Sequence, residues 1–285
     1  MNLTKEDKLF LELYSDSEYQ KPSVTVDSVI FRLFDEPSNN YRKLPEKKLQ
    51  VFLTNRTNPP FKNKFSIIGT FIDLGFEVAE SAKLCVQKKV GLTQAYNEQL
   101  FTFGEKMRDP RNRVISVSYL FLTNQKQNLS NGEWFDVELK KVKTTAEHKH
   151  TVTNFELILT NQNHTLINTL ELDVDNISTI SPKKITLTNT PLAFDHAKMI
   201  FYAIFRLRNK LEYTDIIFNM LEEKFTLTEL KKSYETILDE KLLDANFRRK
   251  TTKLVTPLNE FTSGKGHRTS QLFVKNKNWN KLNLD

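Results

Sequence analysis

Cysteine occurs once in the 285 residues, at Cys85. A single thiol excludes an intrachain disulfide and a cysteine metal cluster, and Cys85 is expected to be a small side chain inside a helix. Glycine is scarce, seven in all, against 21 phenylalanines, so the core is expected to be aromatic-rich. No apolar run approaches the ~18 residues of a membrane-spanning helix. Residues Met1 to Asp16 mix charged and apolar side chains and lack the apolar core of a signal peptide. The expectation is a soluble, cytoplasmic protein without a membrane partner.

What is present fits one large domain or two smaller ones, with 39% hydrophobic and 27% charged residues. The net charge of +7 is localised. Residues 245–285 hold nine Lys and Arg against Glu260 and Asp285, and the remaining chain balances 33 basic with 33 acidic residues. A basic end on a neutral body points to a polyanionic partner, although a solvated charged tail would carry the same charge.

Periodicity divides the chain. Residues 4–14 read as a short helix capped by Thr4, with Leu9, Phe10 and Leu13 on one side. Alternation predicts strands over Pro22–Phe34, Lys48–Thr54 and Val114–Leu122, with another over Phe65–Phe71. Glu77–Lys89 is a helix with Ala79, Ala82 and Val86 facing the core. The Asn- and Thr-rich stretch 124–193 contains strand-like runs at Trp134–Leu139, Val152–Leu159 and Leu166–Leu172, read as extra hairpins on the core sheet. His148-Lys-His150 within it is a weak metal signal, and solvent-exposed histidines are the expectation. From Pro191 the character turns helical. Asp195 can cap a helix to about Leu211, and a second runs over Thr214–Lys224. Thr226-Leu-Thr-Glu229 is a capping box opening a third, and Asp244 can cap a fourth over Ala245–Leu254. A hairpin follows. Helix, helix, helix, hairpin is the order of a winged helix-turn-helix.

Two constellations carry chemistry. On the fourth helix, Asn246, Arg249, Lys250 and Lys253 share one face, while Phe247, Thr251 and Leu254 gather on another. An amide and guanidinium groups on an anchored helix suit base edges in a major groove, and lysines suit phosphate. Arg248 projects to the flank. Lys265, His267 and Arg268 sit on a glycine-containing tip that suits a wing. These eight residues are the candidate DNA contacts. The second constellation is Gly69-Thr-Phe-Ile-Asp-Leu-Gly-Phe-Glu77…Gly91-Leu92, the frame of a Nudix box. In a working box, glutamates on one helical face hold Mg²⁺. Aligned on Gly91-Leu92, the Arg and Glu positions are Leu84, Cys85, Lys88 and Lys89, which do not form an oxygen-ligand set. Arg108, Arg111 and Arg113 follow the aromatic segment Phe101-Thr-Phe103. With Arg56, Phe103, Lys88 and Lys89 they make the candidate ligand-binding set. No catalytic or metal residue is assigned.

The chain resembles the Nudix-related transcriptional regulators of the NrtR type. The resemblance rests on Val26-Asp27-Ser-Val-Ile-Phe-Arg32, Glu98-Gln-Leu-Phe-Thr-Phe-Gly104 and Arg108-Asp-Pro-Arg111-Asn-Arg113-Val-Ile-Ser-Val-Ser-Tyr119. Leu192-Ala-Phe-Asp-His196, Phe225-Thr-Leu-Thr-Glu-Leu230 and Asn246-Phe-Arg-Arg-Lys250 complete it. It departs from the family at Gly69-Thr70-Phe71, Phe65 and Ile67-Ile68. The resemblance implies a homodimer with a Nudix-like sensor and a C-terminal winged helix. It implies an effector such as ADP-ribose or another phosphorylated metabolite, an operator of double-stranded DNA, and NAD- or niacin-related target genes.

The fold expected is α+β: a Nudix-like mixed sheet with flanking helices, and a winged helix-turn-helix. The divisions are an arm over 1–20, a sensor over 21–211 and a DNA-binding domain over 212–285. The function expected is a metabolite-responsive repressor needing no cofactor. The alternatives are a Nudix hydrolase acting on ADP-ribose or a similar diphosphate, with Glu77, Glu80 and Glu105 as its only nearby metal candidates, and a ligand-binding protein with another output.

Overall fold

The chain folds around a large mixed sheet with helices on its faces. The structure, a computed structural model, describes residues 3–15, 17, 19–37, 45–125, 129–146, 149–175, 184–262 and 269–279. A helix α1 (Lys5–Leu13) precedes strands β1 (Ser23–Asp35), β2 (Lys47–Asn55), β3 (Phe65–Ser66) and β4 (Ile68–Phe71). Helix α2 (Val78–Val90) leads to β5 (Tyr96–Phe103), β6 (Val114–Thr123), β7 (Glu133–Ala146), β8 (His150–Thr160), β9 (Thr165–Asp175) and β10 (Lys184–Asn189). Helix α3 (His196–Tyr213), a 3-10 turn (Ile216–Met220), α4 (Leu227–Leu238), α5 (Asp244–Thr251) and the hairpin β11 (Val255–Phe261) and β12 (Gln271–Lys275) complete the order.

The sheet runs β10-β9-β8-β7-β2-β1-β6-β5, with β3 added on β2 and β4 on β1. β1 and β6 are parallel and the other pairs antiparallel. β1 is buried on both faces from Thr25 to Arg32. Val26 and Ile30 pack with Ala82, Cys85 and Val86 of α2, while Val29 and Phe31 join the larger core with α3. That larger core continues through Ile216, Met220, Tyr234 and Ile237 to Phe247 and Val255, so apolar packing is unbroken across residue 211. The expected extra strands are β7 to β9, which together with β10 extend the core sheet through β2.

Several expectations are corrected. α1 is capped by Thr4 through a full capping box, but none of its residues is buried, so Leu9, Phe10 and Leu13 face no core in this chain. The strand over 65–71 is split at Ile67, with its two halves pairing different partners. The helix expected over 214–224 is only the 3-10 turn. The Asn219 side-chain amide donates to the Ile216 carbonyl at 2.9 Å and competes with the helical ladder. Then Phe225 bridges to Phe273 of β12 and draws the chain into extended form. Leu243, not Asp244, is the N-cap of α5, because the Asp244 carboxylate is taken by Lys231 at 2.5 Å. β10 was not anticipated, and His148 lies outside the described residues; His150 is exposed and pairs with Asp173 at 3.0 Å. No helix among the described residues is long and apolar enough to cross a membrane.

Candidate ligand cleft and nucleic-acid interface

A cleft of about 390 Å³ opens at the end of the sheet where β1, β4, the 104–113 loop and the start of α3 converge. Its floor is a buried polar network. Asp27, in the middle of β1, accepts from Ser116 Oγ at 2.5 Å and Thr25 Oγ1 at 3.3 Å. Arg108 Nη2 lies 3.7 Å from Asp27 and His196 Nε2 3.9 Å. Gly69 pairs with Asp27 across the strands, and a Cβ there would come 2.0 Å from Asp27 Oδ1, so glycine alone fits. His196 is buried, and its Nδ1 accepts from the Ile67 N–H at 3.3 Å. Desolvation lowers its pKa, outweighing the pull of Asp27 and Asp195, so the ring is neutral at pH 7.

The walls carry cations and rings. Arg56 Nε donates to the Pro60 carbonyl at 2.9 Å, and its guanidinium lies 4.9 Å from the Phe194 ring centroid. Burial first, then Arg111, lower the Arg56 pKa. Arg111 forks onto Asp109 at 3.0 and 2.7 Å and stands 5.4 and 5.7 Å from the rings of Phe71 and Phe194. Burial pushes the Asp109 carboxyl up, but its hydrogen bonds from Arg111 outweigh this and hold it low. Phe194 sits at φ 53, a conformation that costs a bulky residue about 1–3 kcal/mol and fixes its ring at the wall. Lys89 adds an ammonium, hydrogen-bonded to the Gly69 carbonyl. Two guanidinium groups and an ammonium beside aromatic faces suit an anion carrying a flat ring.

Of the candidate ligand set, Arg56, Arg108, Arg111 and Lys89 line this cleft. Four members need correction. Arg108 is buried, and its charge is spent inside the protein on Asp195, at 3.0 and 2.8 Å. Phe103 is core, packed edge-on against Tyr202. Arg113 is exposed and does not line the cleft, although its neighbour Val114, the first residue of β6, does. Lys88 lines an adjoining pocket with Phe71, Phe76, Leu84 and Cys85. α2 ends at Gly91 in the left-handed conformation, φ 78, which supports the register in which Cys85, Lys88 and Lys89 hold the box positions. Cys85 is buried and desolvation raises its pKa, so it is a neutral thiol. Glu77 occupies the N-cap position of α2 without a side-chain cap bond, Glu80 follows in the first turn, and Glu105 pairs with Lys198; none of the three lines the cleft. Asp27, Ser116, Phe71, Phe194 and His196 were not singled out as site residues from the sequence.

At the other end of α3, α5 presents Asn246, Arg248 and Arg249 to solvent and buries Phe247 and Thr251. The helix stops at Thr251, where the Thr251 and Thr252 hydroxyls donate back to the Phe247 and Arg248 carbonyls. Lys253 therefore stands in the turn beyond it, exposed, rather than on the helical face. Lys250 turns back onto Glu212 of α3 at 2.8 Å. Lys265, His267 and Arg268 lie outside the described residues.

Residues 217–274 match the family of NrtR DNA-binding winged helix domains. Over 248 residues, 86% of this chain and 78% of the relative, the protein is 29% identical to the ADPR responsive transcriptional repressor NtrR of Acinetobacter baylyi. The chain therefore carries an NrtR-type winged helix at residues 217–274 and is similar to an NrtR-type regulator over most of its length. The fold agrees over nearly the whole length. A MutT/nudix family protein from Enterococcus faecalis superposes with a TM-score of 0.64 at 24% identity, over 95% of this chain and 94% of that one. NrtR of Shewanella oneidensis, solved with a 27mer DNA, superposes with a TM-score of 0.57 at 23% identity, over 89% and 93%. In the NrtR-type frame, the cleft lies in the Nudix-fold sheet and α5 in the winged helix.

Proposed function

We propose that the protein is a repressor that binds operator DNA as a homodimer through α5 and its wing, and that ADP-ribose or a related phosphorylated metabolite in the Arg56–Arg111 cleft controls this binding. The observation that carries the reading is α3. Its first residue, His196, and its N-cap, Asp195, belong to the cleft network, while Arg208 near its other end donates to the Ile237 carbonyl of α4 at 2.8 Å and Glu212 holds Lys250 of α5. One rigid element thus touches both sites, so a ligand that repositions Asp195 or His196 acts on the DNA-facing helix. The Acinetobacter relative is named an ADPR-responsive repressor, which supports both the output and the effector class.

The cleft is read as a sensor without turnover, in the cytoplasm and without a cofactor. A neutral thiol and two ammonium groups at the box positions do not make the hard oxygen set that Mg²⁺ requires. The target genes suggested by the resemblance are those of NAD or niacin metabolism. The decisive test is fluorescence anisotropy on DNA from upstream of the protein's own gene, with and without ADP-ribose. Specific binding that weakens with salt and that ADP-ribose shifts is expected. Specific binding that no phosphorylated nucleotide alters would remove the sensor half of the reading.

A further inference from the structure

A second cleft, of about 650 Å³, opens where β1, β2 and β7 lie side by side, and it shares no residue with the first. That size falls in the ~300–1,000 Å³ range of small-molecule sites. Arg32 lines its floor. It is 5% exposed, on the even-numbered face of β1, and its guanidinium lies 4.1 Å from the Trp134 ring centroid. Its Nε donates to Gln50 Oε1 at 2.9 Å, and Gln50 Nε2 donates in turn to Asp136 Oδ1 at 2.7 Å. Two donors are left over. Among the described residues, Arg32 Nη1 and Trp134 Nε1 are both buried and without a hydrogen-bond partner, and no carboxylate forms an ion pair with Arg32. Burial lowers the Arg32 pKa to about 10, so the group stays charged at neutral pH. A buried charge with an open N–H is costly unless a partner completes it, and the best partner for a guanidinium is a carboxylate.

A simple carboxylic acid does not suit the rest of the lining. Beside Arg32 and Lys48 stand Asp136, Glu133 and Glu36. One amide, that of Gln50, separates the cation of Arg32 from the carboxylate of Asp136. The carboxylate and ammonium of an α-amino acid are also separated by a single carbon, and the molecule is neutral overall. One wall is closely packed: a Cβ on Gly132 would come 2.4 Å from the Leu53 carbonyl and 2.6 Å from the Phe52 ring, so only glycine lets the segment before Glu133 and Trp134 lie on β2. We propose that this cleft is a binding site for a free α-amino acid, with its carboxylate on Arg32 and the Trp134 N–H and its ammonium on Asp136.

The site is independent of the repressor reading, and its test leaves that reading untouched. Calorimetry on the full chain with the standard free amino acids is expected to give saturable binding of at least one. Its carboxamide and its des-amino acid should each bind about tenfold or more weakly, since each lacks one of the two charges. Asp136→Asn, which keeps an oxygen for Gln50, should weaken binding about tenfold, and Arg32→Met should abolish it. Because Arg32→Met removes a buried contact of the sheet, Trp134→Phe provides the second arm: it keeps a ring under the guanidinium, removes the N–H, and should weaken binding severalfold. None of these changes should alter the response to ADP-ribose, whose cleft they do not touch. The proposal is overturned if no amino acid binds saturably at tens of millimolar. It is equally overturned if the des-amino acid binds as well as the amino acid, or if Asp136→Asn and Trp134→Phe bind like the parent chain.

Discussion

Arg108 holds Asp195 by two hydrogen bonds, Nε at 3.0 Å and Nη2 at 2.8 Å, and so ties the 104–113 loop to the start of α3. Both side chains are nearly buried, 4% and 11% exposed. The carboxylate that the sequence offers as a helix cap is instead consumed by this ion pair, and α3 begins without a side-chain cap bond. Arg108→Ala leaves Asp195 and Asp27 without their guanidinium. The expected cost is about 3–5 kcal/mol, the range for breaking a buried pair from one side. Urea denaturation measures it. A loss below about 1 kcal/mol would mean that the pair is solvated and Arg108 is available to a ligand after all.

Arg111 and Arg113 separate the roles that the sequence grouped together. Arg111 lines the cleft between two rings, and Arg113 does not line it. Arg56→Ala and Arg111→Ala should each weaken ADP-ribose binding by about 1.5–3 kcal/mol, the value of a hydrogen bond to a charged group. Arg113→Ala should leave it unchanged. Calorimetry at fixed salt decides, and an Arg113→Ala effect as large as that of Arg111→Ala would move the phosphate site out of this cleft.

How much of this was legible in the chain depends on whether the signal was local. The strands β1, β2 and β6 follow from alternation, and the capping box at Thr226 opens α4 where expected. The register of the box helix follows from one glycine, Gly91, because only a left-handed residue ends it there. The 214–224 segment misled because its apolar spacing suits a helix, while the turn is decided by Asn219 and by pairing of Phe225 with a strand far along the chain. The site network was present but unread. Asp27 and Arg32 are charged residues inside a strand buried on both faces, and such residues mark either a buried pair or a site. Their partners, Ser116, His196, Gln50 and Trp134, come from other elements, so no spacing rule could name them.

The box lysines yield a prediction about metal. Lys89 lines the cleft and Lys88 the pocket beside it. If the ammonium of Lys89 supplies the charge that Mg²⁺ supplies in a hydrolase, ADP-ribose should bind equally in Mg²⁺ and in EDTA. Lys89→Glu should weaken binding about tenfold in EDTA. No Mg²⁺-dependent release of AMP from ADP-ribose above background is expected. Robust hydrolysis that EDTA abolishes would restore the hydrolase alternative.

On the DNA side, Arg249 is exposed on α5, whereas Lys250 is held by Glu212. Arg249→Ala should cost about 1–3 kcal/mol and relax preference at one base pair if it reads a base. Lys250→Ala should cost less on DNA. Its larger effect should be on the coupling, since it cuts the contact between α5 and α3. Titrating operator DNA with and without ADP-ribose separates the two. A Lys250→Ala protein with unchanged ligand response would show that the signal does not pass through Glu212.

His196 gives a pH dependence with a definite sign. Desolvation holds its folded pKa below the ordinary 6.5. Between those two values the unfolded chain carries a proton on this residue that the folded chain refuses, so protons favour unfolding. The stability contributed by the neutral ring is fully present above about pH 6.5 and is lost as pH falls towards the folded value. One such proton corresponds to a slope of up to about 1.4 kcal/mol per pH unit. His196→Gln keeps an acceptor for the Ile67 N–H and cannot take up the proton. Its urea midpoint should therefore fall less between pH 7 and pH 5 than that of the parent chain. Equal slopes in the two proteins would mean that His196 titrates in the folded state as it does in water, and that the network around Asp27 is wetter than its burial indicates.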